Sequence, residues 1–243
     1  MIQHQVIPGR ISRLIVIGSG PRDATRISRM TDRKAWTVTT HDWAVEVDEN
    51  HLNSIREARA DYLPGGRRHL ILEVLAYAND EAEALGRVGL ALVTTTAGGI
   101  VSVTDNGRGT DTRIDDEGRV VRKAVMSTKD VRFFDSDTTP RLPDGRARRG
   151  ISTVAALSEM LVHENHRADG SWSQTYRYGI PDADLQGMSP QPETGTRVVF
   201  STNMAEPLNL VTADLEAFPW LRVTTSSTPM DEYSASTDGP SAA

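Results

Sequence analysis

Three clusters of residues in this chain have the types and spacing to do chemistry. The first is Val103-Thr104-Asp105-Asn106-Gly107-Arg108-Gly109, where the apolar run Ile100 to Val103 meets an Asp and then a Gly-x-Gly turn. A carboxylate at a strand end is placed to accept a hydrogen bond in a cleft, and glycine lets the backbone come close to a ligand. A plain hairpin turn uses the same residues. The second is Glu73, Tyr77, Asp80 and Glu81. Their spacing of i, i+4, i+7 and i+8 puts them on one helical face, as an ordinary solvated helix also would. The third is Gly145-Arg146-Ala147-Arg148-Arg149-Gly150, three arginines between two glycines, which suits an anion site or a basic surface loop. His163, Glu164 and His166 have the residue types of a metal site. In an extended segment, however, the two imidazoles point to opposite faces, so no site is expected there.

These residues need elements to hold them. Leu70, Ile71, Val74, Ala78 and Ala82 recur at helical spacing, which predicts a helix from Arg67 to about Leu85. Leu90 to Thr96 and Ile100 to Val103 form an expected hairpin across Ala97-Gly98-Gly99. Leu52 to Arg59 reads as a short helix, ended by the Pro and Gly of Tyr62-Leu63-Pro64-Gly65-Gly66. A short helix is expected within Val120 to Lys129, and a mobile loop from Asp135 to Gly145. Gly150 to Leu161 reads as a helix burying Ile151, Val154, Ala155, Leu157 and Leu161. Val162 to Glu164, Ser171 to Tyr178 and Arg197 to Phe200 read as antiparallel strands, with Asp169-Gly170 as the first turn.

Nearer the N-terminus, Trp36 to Thr40 and Trp43 to Val47 alternate like strands. Arg13 to Pro21 reads as a strand and a Gly-rich turn. It lacks the third glycine and the room for the βαβ unit that a dinucleotide site requires. The Ser, Thr, Asp, Pro and Ala that follow from Ser226 predict a disordered tail.

Composition narrows the function. A net charge of −6 does not suit general attraction to the DNA backbone. The absence of cysteine excludes disulfides, thiolate catalysis and Cys-based zinc sites. No apolar run reaches the roughly 18 residues of a membrane span. No secretory pattern opens the sequence, so a cytoplasmic location is the expectation.

Five stretches, in order, resemble the ATP-binding domain of the gyrase B protein, one of the GHKL ATPases. They are Leu52 to Gly65, Arg67 to Ala82, Val103 to Gly109, Gly145 to Ser158 and Glu193 to Phe200, together covering roughly residues 50 to 206. The resemblance implies an α+β fold: a two-layer sandwich with a mixed, mostly antiparallel sheet and helices on one face. It divides the chain into an N-terminal extension or arm (1–50), the GHKL domain (51–225) and the tail (226–243).

The resemblance also assigns roles. Glu73 matches the general base that activates water. Asp105 matches the acceptor of the adenine amino group, and Thr196 the residue that reaches the same Asp and the base through water. Val74, Val103 and Val198 wall the base pocket, Gly107 and Gly109 bring backbone to it, and Arg108 and Arg167 line its mouth. Asp80 and Tyr77 belong to the same nucleotide site, and Gly145, Arg148, Arg149 and Gly150 to a lid over the phosphates.

Three departures bear on mechanism. Tyr77 stands where the family has its Mg²⁺-binding Asn, and a phenol is a poor ligand for that hard cation. Asn79 lies on another helix face and is no replacement. The lid has lost its middle glycine to Arg148, and Thr110-Asp111 makes the pocket rim more polar. The implied ligand is ATP, with Mg²⁺ in question, and the expected function is adenine-nucleotide binding with weak or no hydrolysis. The other reading is a nucleotide-independent scaffold or regulatory protein. A homodimer through the N-terminal extension, or a protein partner, fits the resemblance; the acidic charge and the lack of a long apolar run lead to the expectation of no direct DNA binding and no membrane association. No stretch of the sequence is expected to supply the family's transducer or DNA-cleaving parts.

Overall fold

The computed structural model describes residues 33–62, 65–96, 98–134, 139–202 and 210–228. The segment Arg13 to Pro21 therefore lies outside the described residues, as do positions 135–138 of the expected loop.

Asp48 starts the first helix, α1 (Glu49–Glu57), by accepting the His51 N–H at 3.0 Å, with Glu49 in the first turn where the helix dipole favours negative charge. A single turn, α2 (Arg59–Tyr62), precedes the long helix α3 (Gly66–Ala84), which Gly65 enters at φ 92°. The hairpin β1 (Gly89–Thr96) and β2 (Ile100–Asp105) follows, then a small separate hairpin of β3 (Thr112–Ile114) and β4 (Val120–Arg122). Helices α4 (Val131–Phe134) and α5 (Ile151–Leu157) lead to β5 (Met160–Arg167), β6 (Gly170–Arg177), β7 (Ile180–Pro181) and β8 (Gln186–Met188). The chain closes with β9 (Gly195–Ser201), α6 (Thr212–Glu216) and β10 (Leu221–Thr228).

The main sheet runs β10-β1-β2-β9-β5-β6-β7, with β8 also on β6. Only the β1–β10 pair is parallel among these, so the fold is the expected α+β arrangement with a mixed, mostly antiparallel sheet. Ala91, Val93, Val101, Val103, Leu161, Val198 and Phe200 are buried toward the helices, while Leu90 and Leu92 stay exposed. This is strand alternation with one covered face. Helix α3 packs on β1, β2 and β10 and also against α5. Covered on two sides, it buries Leu72, Leu75 and Ala76 as well as Leu70, Ile71 and Val74. Glu73 goes in with them, so the face read as a possible solvated stripe is partly core.

Several expectations need correction. Trp36 to Val47 forms no strands: a 3₁₀ turn (Arg33–Ala35) is followed by bends. Trp36 and Trp43 meet edge to face at 5.4 Å, and the Arg113 guanidinium lies over both rings at 5.0 and 4.4 Å. That packing folds the segment back on itself. Val120 to Lys129 is not a helix but β4 and a turn, in which the Thr128 hydroxyl donates to Ala124 O at 2.8 Å. Helix α5 stops at Leu157, where the Ser158 hydroxyl donates to Val154 O at 2.6 Å, and Leu161 belongs to β5. The first helix begins at Glu49, inside the segment assigned to the extension. Strand β10 carries the sheet through Ser226 to Thr228, past the expected start of the tail. Its parallel ladder with β1 pairs Thr94 with Ser226 and Thr95 with Ser227, so backbone bonding holds polar residues in a strand. Residues 139–145, expected as open loop, make a tight turn: Gly145 N–H donates to Leu142 O and Leu142 N–H to Arg146 O, each at 2.8 Å. Among the described residues no helix is long and apolar enough to cross a membrane.

Candidate functional site

Strand β2 delivers Asp105 to its end, and β9 brings Thr196 beside it. Asp105 Oδ1 accepts the Gly107 N–H at 2.8 Å and the Thr196 N–H at 3.4 Å, and Oδ2 accepts the Thr196 hydroxyl. A carboxylate has about four acceptor positions, so one remains for a donor in the cavity that Asp105 lines. Burial pushes the Asp105 carboxyl up from its usual range, opposed by these hydrogen bonds. The close pairing depends on Gly195 (φ 148°), where a Cβ would fall 2.0 Å from the Asp105 carbonyl oxygen.

The cavity has a volume of about 270 Å³. Of the residues assigned to the nucleotide site from the sequence, Val74, Tyr77, Asp80, Asp105, Arg108, Gly109, Thr196 and Val198 line it, as do Glu81, Thr110, Asp111 and His163. Val103 does not; it is core beneath the site. Gly107 is tight against protein rather than open space, since a Cβ there would meet Glu81 Cγ at 2.8 Å. Gly109 (φ 81°) is required by Asn165 Oδ1, 2.6 Å from where its Cβ would lie. Arg108 pairs with Glu81 through Nε–Oε1 at 2.5 Å and Nη2–Oε2 at 3.0 Å. Arg167, expected at the mouth, is not among the lining residues; it donates to Gly109 O at 3.2 Å and to Asp169 at 3.0 Å.

At the other end of the cavity, Tyr77 donates its hydroxyl to Asp130 Oδ2 at 2.5 Å. Burial, then the Asp130 charge, push the phenol well above its ordinary value. Asp130 is also held by Arg132 through Nε at 3.0 Å and Nη2 at 2.7 Å; burial raises its carboxyl, but these bonds and the Tyr77 hydroxyl bring it below its ordinary value. Arg132 Nη1 reaches Asp80 at 3.0 Å, and Arg148 reaches the same carboxylate at 3.0 and 2.9 Å. The Arg148 guanidinium also lies over the Tyr77 ring at 4.9 Å and the Phe133 ring at 4.5 Å. Asn79 faces elsewhere and accepts the Trp220 N–H at 3.0 Å.

Glu73 is fully buried and is not among the residues lining the cavity. Its two oxygens accept the backbone N–H groups of Arg149 at 2.6 Å and Gly150 at 3.0 Å, at the start of α5. His69 Nε2 lies 3.6 Å from the same carboxylate, and His69 Nδ1 is 2.7 Å from Asp144. Burial pushes Glu73 up; His69 and the two amides work against it.

Sequence reasoning placed Thr110 at the rim and set His163 aside as a metal ligand, but missed Asn165, which joins them. Asn165 grips Thr110, accepting its N–H at 2.6 Å and donating to its carbonyl at 3.3 Å. His163 lines the cavity with Nε2 3.3 Å from the Thr110 hydroxyl, and its ring meets Trp172 edge-on at 5.0 Å. The signal was the i, i+2 spacing of His163 and Asn165, which puts them on one face of β5; His166 falls on the other. Arg132, Lys123 and Met126, also in the lining, carried no motif.

Burial, then Arg122, lower His163 to about 3, so it is neutral at physiological pH. A histidine whose folded value lies below its unfolded one stabilises the fold above pH ~6.5, and that contribution is lost as pH falls toward the folded value. Lowering the pH from 7 to 5 is therefore expected to cost about 2 kcal/mol through His163 alone. Urea unfolding of wild type and His163→Gln at the two pH values measures it. An equal drop in both proteins would dismiss His163 as the acid-sensitive group.

Curated proteins share this sequence pattern. The DNA gyrase B protein of Streptomyces coelicolor is 31% identical over 154 residues, covering 61% of this chain and 22% of that protein. The corresponding B protein of DNA topoisomerase 4 from Staphylococcus epidermidis is 32% identical over 137 residues, covering 56% and 20%. The chain spans about a fifth of the length of these relatives. No protein-family model matches. A solved structure, the ATP-binding domain of topoisomerase IV from Francisella tularensis with a small-molecule inhibitor, superposes with a TM-score of 0.49 and 21% identity, over 66% of this chain and 81% of that one. Over more than half of its length the chain is thus similar in sequence to about a fifth of the B proteins of gyrase and topoisomerase IV.

Proposed function

We propose that this domain binds an adenine nucleotide with its base against Asp105 and Thr196, and hydrolyses it weakly or not at all. The observation that carries the reading is the unspent acceptor of Asp105 at the cavity. An exocyclic amino group satisfies that acceptor. A carbonyl at the same place, as in guanine, leaves two acceptors facing each other and loses affinity. Val74, Ala78, Ile151 and Val198 supply apolar walls for a flat ring.

Weak hydrolysis is supported by two features. Glu73 spends both oxygens on backbone amides and has no surface in the cavity, so an attacking water has no base beside it. The residues around Tyr77 do not fit Mg²⁺. The phenol oxygen is engaged with Asp130, Asp80 is clamped by two guanidinium groups, and the Asn79 oxygen is bonded to Trp220. A site for this cation needs several free oxygens in tight octahedral order. On this reading the domain works as a binding or regulatory module.

Calorimetric titration of the purified chain with an ATP analogue and with adenosine, each with and without Mg²⁺, tests the proposal. Binding indifferent to Mg²⁺ is expected. Binding strengthened by Mg²⁺ makes an active ATPase the better reading. If neither compound binds, the fold serves as a scaffold.

A further inference from the structure

We infer that the ligand of this cavity is an adenine nucleoside or a similarly uncharged adenine compound, with no polyphosphate. The inference rests on the adenine reading above: it keeps the base contacts of that reading and replaces its nucleotide by a ligand without phosphates.

The first support is the state of the cations. Arg108, Lys123 and Arg132 line the cavity, and each already faces a carboxylate. Arg108 holds Glu81 at 2.5 Å, Lys123 is 3.9 Å from Asp111, and Arg132 holds Asp80 at 3.0 Å and Asp130 at 2.7 Å. Arg148 adds a second contact to Asp80 at 2.9 Å. A phosphate that captured Arg132 would strip Asp130, whose side chain is 0% exposed, of its cation. Leaving one member of a buried pair uncompensated is the costly way to break it.

The second support is the loop from Gly145 to Gly150, where the backbone donors of all residues but Ala147 are spent internally. The amides of Arg149 and Gly150 go to Glu73, that of Arg148 to Pro140 O at 2.8 Å, that of Gly145 to Leu142 O, and that of Arg146 to Asp144 at 3.1 Å. A loop that cradles an anion points such amides at the ligand instead.

Titration of the purified chain with adenosine, AMP and ATP, without metal, tests this. Adenosine is expected to bind, and ATP to bind no more tightly than adenosine. Tighter binding of ATP overturns the inference while leaving the adenine reading intact. If neither adenosine nor ATP binds, both fall. Asp80→Asn gives a second readout, because it frees charge on Arg132 and Arg148. The ratio of ATP to adenosine affinity should rise by about fivefold, the scale of one partly screened ion pair. An Asp80→Asn protein in which that ratio does not rise counts against the inference.

Discussion

Asp105→Asn is expected to weaken adenosine binding by about 1–3 kcal/mol, roughly 5- to 150-fold, with the fold intact. The substitution keeps shape and volume. Its new amide can keep the carbonyl oxygen toward the Gly107 and Thr196 N–H groups, but its NH₂ then replaces the acceptor that takes the Thr196 hydroxyl and the ligand's donor. Donor would face donor at the recognition point. Stability should move the other way. Burial raises the folded value of Asp105, so the stability it contributes is complete only below the ordinary carboxylate range and is lost as pH rises through the folded value. At pH 7 its ionised form is a cost, and the neutral variant is expected to be at least as resistant to urea as wild type. Unchanged adenosine affinity in a folded Asp105→Asn protein would remove Asp105 from the site.

Glu73→Ala is expected to be the most damaging single change to the fold, at about 2–5 kcal/mol in urea unfolding at pH 7. It leaves the amides of Arg149 and Gly150 without acceptors, each at about 1–3 kcal/mol, and opens a void among packed helices. An exposed Glu→Ala change sits within about 0.5 kcal/mol, so the two readings of this residue separate cleanly. Raised by burial, Glu73 is itself a liability when ionised, and the variant's deficit should widen as pH is lowered toward the ordinary carboxylate range, where the protonated wild-type side chain is at its best. ATP turnover by wild type that Glu73→Ala abolishes without loss of stability would restore the base assignment and end the weak-hydrolysis reading.

Which parts were legible follows from the range of the interactions. The α3 helix and the β1–β2 hairpin rest on local periodicity and turn residues, and both stand where the pattern puts them. The meeting of Asp105 with Thr196 has no local signal, since 91 residues separate them; only the order of motifs along the chain suggested it. The interior of the lower cavity was opaque for a related reason. Tyr77 reads as a helix residue and Arg132 carries no signal of its own until Asp130 and Asp80 join them. Asn165 looks like a polar strand residue until β5 pairs with β9 and places it opposite Thr196. The burial of Glu73 depends on α5 lying over it, which no spacing within α3 encodes.

Strand β9 lies between two sets of strands that are local in sequence, β1–β2 on one side and β5–β6 on the other. Those hairpins can zip early; the strand that joins them arrives late in the chain and must close long loops on both sides. The joining step should therefore govern the folding rate, and the recognition point comes into being only when it is complete. A chain still being synthesised has the Asp105 half of the site without the Thr196 half. Ligand binding thus reports β9 seated between β2 and β5, and ligand at 100 times its Kd would hold it there by about 2.7 kcal/mol.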